Sequence, residues 1–316
     1  MAKINIFCKA SHTDGMGHLI RQIHIAKEIR KHNKICFYVA DFPAATNILK
    51  QHDFSFSLAE DFNPAKADIT ILDIQDTALT FIKVLKQQSK KIISFEDQGE
   101  GRNHVDVLID CNLNEGDAKT VLPHVKTLFG LPYSVLAPEF EQLHSEKRSF
   151  PEQIQSLLVT FGGTDPHGIT LDLIKHIPEN LKTTIISGFQ NQEALQSIAS
   201  NKPHLSLVEN IQDMAGMLAS HDAVFCSGGV TLHEAMCVGT PAFVISQVAH
   251  QEDKAKAAQS MSAAINLGQA NSWDANRLSG IFKLGKESLE KMSAAGKKCI
   301  DGKGLKRVVE AILSVC

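Results

Sequence analysis

The chain has 316 residues, of which 43% are hydrophobic and 21% charged, and its formal net charge is -3. These values fit a globular protein with two domains of roughly 150 residues each, and the charge lacks the basic excess that a nucleic-acid partner requires. Seven cysteines without Cys-x-x-Cys spacing favour free core thiols in a reducing, cytoplasmic compartment, and no apolar run approaches the roughly 20 residues of a membrane span.

The first half, residues 1–148, alternates short apolar runs with amphipathic stretches. The predicted helices lie between most of the predicted strands, which indicates crossovers and a parallel α/β sheet. A polar, proline-containing segment at 143–152 breaks this pattern, so we place the domain boundary after residue 148. The predicted strands are 3–8, 34–40, 68–73, 91–95 and 105–109, and the predicted helices are 18–31, 43–51 and 77–88.

The second half, residues 149–316, restarts the same alternation. Its predicted strands are 156–160, 183–187, 205–208, 222–226 and 241–245, with helices at 170–176 and 231–238. Beyond residue 251 the sequence is predicted to be mostly helical, at 252–261, 275–281, 287–295 and 305–315. Two successive α/β halves predict two Rossmann-like domains that face each other across a cleft.

A glycine-containing turn, Gly15-Met16-Gly17, follows the first strand and leads to His18 at the start of a predicted helix. A histidine at a helix amino terminus feels the positive end of the dipole, which favours a neutral ring suited to a general base. Alternatively, His18 only caps the helix that follows the glycine turn. Arg21 lies one helical turn further on, where it binds an anionic group or braces the loop.

Two further glycine-rich turns occur in the second half. The first is Phe161-Gly-Gly-Thr-Asp-Pro166, whose polar residues either contact a ligand or cap the next helix. The second runs from Ser227 to Glu234, where paired glycines and free helix N–H groups suit a diphosphate. Glu234 shares a helix face with Thr231, so its carboxylate could accept both ribose hydroxyls. Ligands bind at the carboxyl ends of strands in open α/β sheets, where all of these turns are predicted to lie.

Taken in order, these motifs resemble the UDP-sugar hydrolases of pseudaminic acid biosynthesis. The resemblance extends to the segment 129–140, Phe-Gly-Leu-Pro-Tyr-Ser-Val-Leu-Ala-Pro-Glu-Phe. That family is similar to spore-coat polysaccharide glycosyltransferases and, more distantly, to the N-acetylglucosaminyl transferase of peptidoglycan synthesis. The resemblance covers nearly the whole chain.

The resemblance implies a GT-B fold in which the second domain holds UDP and the first faces the reactive sugar. His18 matches the family's base, which activates water to attack the anomeric carbon as UDP leaves with inversion. Glu234 matches the ribose ligand, and Ile211 matches the residue beside the uracil. The other expected substrate contacts are Gly17, Arg21, Asp73, Gln75, Gly162, Gly163, Thr164, Asp165, Ser227, Gly228, Gly229, Val230, Thr231, His250 and Gln251.

Three positions depart from the family pattern. Gln75 stands where the family has tyrosine, Ala137 where it has arginine, and His250 where it has the asparagine of an Asn-Gln pair. Because these departures lie on the sugar side, the sugar itself is left open.

We therefore expect hydrolysis of a UDP-linked sugar of the diacetamido-trideoxy class, for nonulosonic acid biosynthesis. A glycosyltransferase of surface polysaccharide synthesis with the same donor site is the first alternative. A UDP-sugar-binding protein without catalysis is the second. The sequence has no His-Glu-x-x-His or similar ligand spacing, so we expect no metal and no other cofactor. The oligomeric state is left open.

Overall fold

The computed structural model describes residues 1–11, 15–58, 64–112, 124–163, 165–188, 191–209 and 211–315. It divides the chain into two units, one formed by Met1–Ala137 with Lys303–Cys316 and the other by Pro138–Gly302. Each unit is built on a parallel β-sheet with helices, so the predicted α/β class is confirmed.

The first unit contains a sheet that has seven strands within the described residues, in the order β3-β2-β1-β4-β5-β6-β7. The strands are β1 Lys3–Cys8, β2 Lys34–Val39, β3 Ser55–Leu58, β4 Ala67–Asp73, β5 Ser89–Phe95, β6 Val107–Asp110 and β7 Lys126–Phe129. The helices that connect them are α1 Gly17–Ile29, α2 Pro43–Gln51 and α3 Leu79–Gln88, with 3₁₀ helices at Glu100–His104 and Leu131–Tyr133.

The second unit contains a sheet of six strands, again counted over the described residues, in the order β10-β9-β8-β11-β12-β13. The strands are β8 Ser156–Thr160, β9 Lys182–Ile186, β10 Leu205–Val208, β11 Ala223–Cys226, β12 Ala242–Ser246 and β13 Ala264–Gln269. The helices are α4 Pro138–His144, α5 Ile169–Leu173, α6 Gln192–Ser200, α7 Met214–Ser220, α8 Val230–Val238, α9 Ala249–Ser260, α10 Leu278–Ile281 and α11 Lys286–Cys299, with a 3₁₀ helix at Ala275–Arg277.

The central strands are apolar along nearly their whole length. In β1 every residue after Lys3 is buried, and β11 and β12 are buried throughout. Such continuous burial is expected where helices cover both faces of a parallel sheet. The six cysteines that the structure describes are free thiols, and Cys8 and Cys226 lie in these strands.

The strand order reverses direction once in each sheet. In the first unit the chain runs from β1 outward to β3 and then returns to β4 on the other side of β1. In the second unit it runs from β8 outward to β10 and returns to β11 beside β8. Ligands bind at such switch points, outside the carboxyl ends of the two central strands. The turns that follow β1, β4, β8 and β11 therefore form the two candidate binding edges.

The unit boundary differs from the one predicted after residue 148. Helix α4 packs against α7 and α8 of the second unit, and His144 Nδ1 lies 2.9 Å from the carbonyl oxygen of Cys237. The last helix, α12 Gly304–Leu313, packs against α1 of the first unit, where Arg307 donates to the carbonyl oxygen of Pro132 at 2.9 Å. Both differences arise from long-range packing of amphipathic helices, which a local change in composition does not report.

Three short strands were missed by the sequence prediction. β3 and β7 pair on one side only, and their residues are half-buried or exposed, so they lack a continuous apolar run. β13 interrupts the region beyond residue 251 that was predicted to be mostly helical. Its sequence, Ala-Ile-Asn-Leu-Gly-Gln, has weak strand propensity and is ordered by pairing with β12.

We expect the C-terminal helix to contribute to the stability of the first unit. Ile312 is fully buried in the same core as Ile4 and Leu19. Ile312→Ala should therefore lower the free energy of unfolding by about 2–5 kcal/mol. Urea denaturation measures the loss, and Lys306→Ala, which changes an exposed residue of the same helix, is the control. Equal stability of the two variants would contradict this packing.

Candidate active site

His18 of the first unit is held by a buried carboxylate. The residue lies in the first turn of α1, and its Nδ1 is 2.7 Å from Oδ1 of Asp73, the last residue of β4. Burial alone would raise the pKa of Asp73, but Arg21 and His18 hold this pKa below its ordinary value. An ionised carboxylate only accepts hydrogen bonds, so Nδ1 of His18 carries the proton and donates it. The lone pair of the neutral ring is therefore on Nε2.

Asp73 accepts hydrogen bonds from three side chains of α1. Besides His18, it accepts from Arg21 through Nε at 2.9 Å and Nη2 at 2.6 Å, and from Gln22 Nε2 at 2.8 Å. Its side chain is fully buried, with 0% of its surface exposed. All of these donors lie on its own unit, and the substrate contact assigned to Asp73 from the sequence stays a prediction.

Arg21 braces the site. Its guanidinium bonds to Asp73 and, through Nη1 at 2.7 Å, to Glu96 Oε1. The side chain is 9% exposed and stacks over the ring of Phe95. Of the two roles that the sequence left open for Arg21, the structure supports the brace. Glu96 was not predicted as a member of this cluster, because it follows β5 and lies 75 residues from Arg21 in the sequence.

Gln75 and Gly17 border this cluster. Gln75 is half-buried, has a left-handed backbone with φ of 64°, and its carbonyl oxygen accepts from the N–H of Gln98 at 2.7 Å. Gly17 is exposed at the start of α1. Both lie at the carboxyl edge of the first sheet, where a substrate contact is expected. Residues 12–14 of the preceding turn, which include Asp14, lie outside the described residues.

In the turn after β8, Asp165 caps the helix that follows. The Asp165 carboxylate accepts from the N–H groups of Ile169 at 3.0 Å and Thr170 at 2.8 Å, so it caps α5. Asp165 is thus a capping residue with 8% of its surface exposed, and its substrate contact stays a prediction. Gly162 is exposed, with φ of 88° and no atom within 4 Å of a hypothetical Cβ, so its backbone is open to a ligand. Gly163 is half-buried beside it, and Thr164 lies outside the described residues.

The turn after β11 leads directly into α8. Gly229 is the N-cap residue of this helix. No described side chain makes a capping hydrogen bond to the amino end of the helix. The first N–H groups of such a helix need an external acceptor, and a phosphate is a suitable one. Ser227 is buried beneath the turn, whereas Val230 is 36% exposed at its first helical position.

Gly228 is required by packing, and its ligand contact stays a prediction. A Cβ at this position would lie 2.2 Å from the carbonyl oxygen of Gln251, so only glycine fits against α9. The Gln251 side chain accepts from the N–H of Gln247 at 2.9 Å, and Gln247 Nε2 donates to the carbonyl oxygen of Phe161 at 2.9 Å. The turns after β8, β11 and β12 are thereby joined, and His250 is exposed beside them.

Glu234 lies on α8, one turn beyond Thr231. Loss of water around this half-buried carboxyl raises its pKa to about 7, although a hydrogen bond with the Thr231 side chain acts in the opposite direction. No cationic partner of Glu234 is found within the described residues, and a carboxylate in such a setting is suited to accepting hydrogen bonds from hydroxyl groups. Ile211, the expected uracil contact, is half-buried and follows β10. Its contact with uracil stays a prediction.

Neither a metal cluster nor a membrane helix is found in the described part of the chain. Among those residues, no group of three or more His, Cys, Asp and Glu side chains is arranged to hold an ion. The helices described here are also too short or too polar to span a bilayer.

Two Rossmann-like sheets, each with a candidate site at its switch point, define the GT-B class of fold. A solved structure shares this architecture: that of MurG from Acinetobacter baumannii superposes with a TM-score of 0.70 at 15% identity, over 99% of both chains. That likeness shows the fold, and the predicted GT-B architecture is confirmed.

Curated relatives are similar over most of the chain. The spore coat polysaccharide biosynthesis protein SpsG of Bacillus subtilis is 28% identical over 96% of both chains. The UDP-2,4-diacetamido-2,4,6-trideoxy-beta-L-altropyranose hydrolase of Campylobacter jejuni is 23% identical over 76% of this chain and 90% of its own length. No family model matches the sequence. The two relatives agree with the resemblance that the motifs indicated.

The raised pKa of Glu234 predicts a pH dependence of stability. Folded Glu234 has a pKa of about 7, whereas an unfolded glutamate has a pKa of about 4.3. The folded chain therefore holds this proton over a window in which the unfolded chain has lost it, and the stability falls as pH rises through that window. Glu234→Gln should weaken this decline and make the ligand-free protein more stable than wild type above about pH 7.

Melting temperatures between about pH 5 and pH 8 check this expectation. The exposed Glu290→Gln, on α11 of the same unit, is the matched control. A wild-type pH dependence in Glu234→Gln would show that this carboxyl titrates in the ordinary range.

Proposed function

We propose that this chain hydrolyses a UDP-linked sugar with inversion at the anomeric carbon. The observation that carries the proposal is the hydrogen bond from His18 Nδ1 to the buried Asp73 carboxylate, 2.7 Å long. It fixes the tautomer in which Nε2 can accept a proton, as a general base requires. The name of the Campylobacter relative supplies the substrate class.

In the proposed reaction, His18 Nε2 takes a proton from a water molecule as its oxygen attacks the anomeric carbon. The bond between that carbon and the UDP oxygen breaks, and UDP leaves with the electron pair. The imidazolium that forms is stabilised by the Asp73 carboxylate and later loses its proton to solvent. Asp73 therefore acts by positioning His18, and Arg21 and Gln22 act by positioning Asp73.

The nucleotide is assigned to the second unit. The uncapped amino end of α8 and the open backbone at Gly162 suit the diphosphate, because N–H groups and the helix dipole both favour an anion. Glu234 is assigned to the ribose hydroxyls. Since backbone groups provide this binding, we expect it to need no divalent metal. The proposal also retains the nucleotide contacts that were predicted for Gly163, Thr164, Ser227, Val230, Thr231 and Ile211.

The sugar is assigned to the diacetamido-trideoxy class, for nonulosonic acid biosynthesis in the cytoplasm. The support is the hydrolase at 23% identity. Gly17, Gln75, His250 and Gln251 are the proposed contacts on the sugar side. Gln75 and His250 differ from the family pattern, so we expect a related sugar with different substituents.

Transfer of the sugar to a polysaccharide acceptor is the second candidate function. It is favoured by one finding: SpsG, a spore coat polysaccharide biosynthesis protein, has the higher identity and matches 96% of both chains. The proposed donor site and base are the same for both reactions. The two differ in whether water or a sugar hydroxyl loses its proton to His18.

A panel of UDP-sugars, incubated with and without candidate acceptors, tests these proposals by the release of UDP. Release without an acceptor supports hydrolysis, and release only with an acceptor supports transfer. If no UDP is released but UDP binds, the chain is a nucleotide-sugar-binding protein without catalysis. Calorimetry with UDP, performed in EDTA, measures binding independently of turnover.

His18→Asn is the decisive variant, because asparagine is polar but cannot accept the proton. Turnover should fall by about 10²–10⁴-fold, whereas UDP affinity, assigned to the other unit, should stay near wild type. His32→Asn, at an exposed position just after α1, is the matched control. Unchanged turnover in His18→Asn would make His18 structural and leave Asp14 and His250 as candidate bases.

A further inference from the structure

Glu96 is joined through Arg21 to Asp73 and His18. Its Oε1 accepts from Arg21 Nη1 at 2.7 Å and from the Cys111 thiol at 3.0 Å. Its N–H donates to the carbonyl oxygen of Ile109 at 2.9 Å. The side chain is only 7% exposed, so this is a buried charge held at both its backbone and its carboxylate.

The backbone of Glu96 is also unusual for its residue type. Its φ is 46°, in the left-handed region that a residue with a Cβ rarely adopts. Such a conformation persists only where the surroundings enforce it, and these positions concentrate at functional sites. The turn after β5 thus keeps an unfavourable backbone geometry in order to place a carboxylate against Arg21.

The charges of the cluster explain what this carboxylate does. Arg21 contributes one positive charge, and Asp73 and Glu96 contribute two negative charges. With a neutral His18 ring the cluster has an excess of one negative charge, and a proton on His18 brings it to zero. Without Glu96, Arg21 would neutralise Asp73, and a proton on His18 would leave the buried cluster positive. Burying unbalanced charge is costly.

We propose that Glu96 is a positioning residue for His18: it balances Arg21, so that Asp73 keeps its full negative charge for the imidazolium that forms during the reaction. This proposal rests on the proposed role of His18 as base. In this proposal the Arg21 guanidinium orients Asp73. The Glu96 carboxylate cancels the positive charge that Arg21 brings to the cluster.

Among the described residues, two other buried carboxylates lie near Glu96 in sequence or on β6: Asp97 accepts from the Ser94 hydroxyl and Asp110 from the N–H of Asn112, both at 2.9 Å. On β1, burial and then the charge of Asp73 raise the pKa of the Cys8 thiol well above its ordinary value, so it stays neutral. After β6, Cys111 acts as a donor to Glu96. On α12, which packs against α1, Lys306 and Glu310 are exposed to solvent and Arg307 bonds to Pro132.

The test is a titration of His18 by NMR in the ligand-free full chain, with the signal assigned by its loss in His18→Asn. Glu96→Gln keeps an oxygen that accepts from Arg21 but removes the charge. The titration midpoint of His18 should therefore be lower in this variant than in the wild-type chain. Asp106→Asn removes a carboxylate paired with Lys91 in the same unit and should leave the midpoint unchanged.

Glu96→Asp separates charge from geometry, and it decides the matter should Glu96→Gln fail to fold. A midpoint near wild type in Glu96→Asp supports the charge role. A fall in Glu96→Asp, or an unchanged midpoint in a folded Glu96→Gln, overturns the proposal. This measurement needs no substrate, so it is independent of whether UDP-sugars are hydrolysed. Where turnover is present, the acidic limb of its pH profile should move to lower pH in Glu96→Gln, with UDP affinity unchanged.

Discussion

The first unit depends on one buried carboxylate. Asp73 stands at the carboxyl end of β4, beside Cys8 of β1, and has no exposed surface. An ionised carboxylate at such a position must be fully hydrogen-bonded, and α1 supplies His18, Arg21 and Gln22 for this purpose. The same bonds that satisfy the charge therefore dock the first turns of α1 onto the sheet and set the orientation of the histidine ring.

The second unit differs from the first, because the backbone N–H groups at the amino end of α8 have no side-chain cap among the described residues. Its edge is held together by backbone contacts, as where Gly228 meets the carbonyl oxygen of Gln251 and Gly188 meets those of Gly162 and Gly163. These contacts fix the turns without using the amino end of α8. The helix N–H groups are thus held in place for an anion, while the first unit holds His18, the proposed base.

The turns and the strands beside them could be predicted from sequence because their signals are local. The strand before Gly162 and the helix after Gly229 both follow from an apolar run next to paired glycines. The partners of the side chains could not be predicted, because they are set by strand order. Asp73 meets His18 across 55 positions of sequence and Glu96 meets Arg21 across 75. For Asp165, cap and ligand contact gave the same sequence signal, and the structure shows the cap.

Asp73 holds His18 with the proton on Nδ1 and the lone pair on Nε2. Nitrogen-15 NMR of the histidine rings measures this directly, at a pH where the His18 ring is neutral and with the His18→Asn spectrum as the assignment control. We expect a protonated Nδ1 and an unprotonated Nε2 in the wild-type chain. In Asp73→Asn we expect the preference for the Nδ1-protonated tautomer to be lost. A proton on Nε2 in the wild-type neutral ring would contradict the account, because the ring would then have no outward lone pair to act as a base.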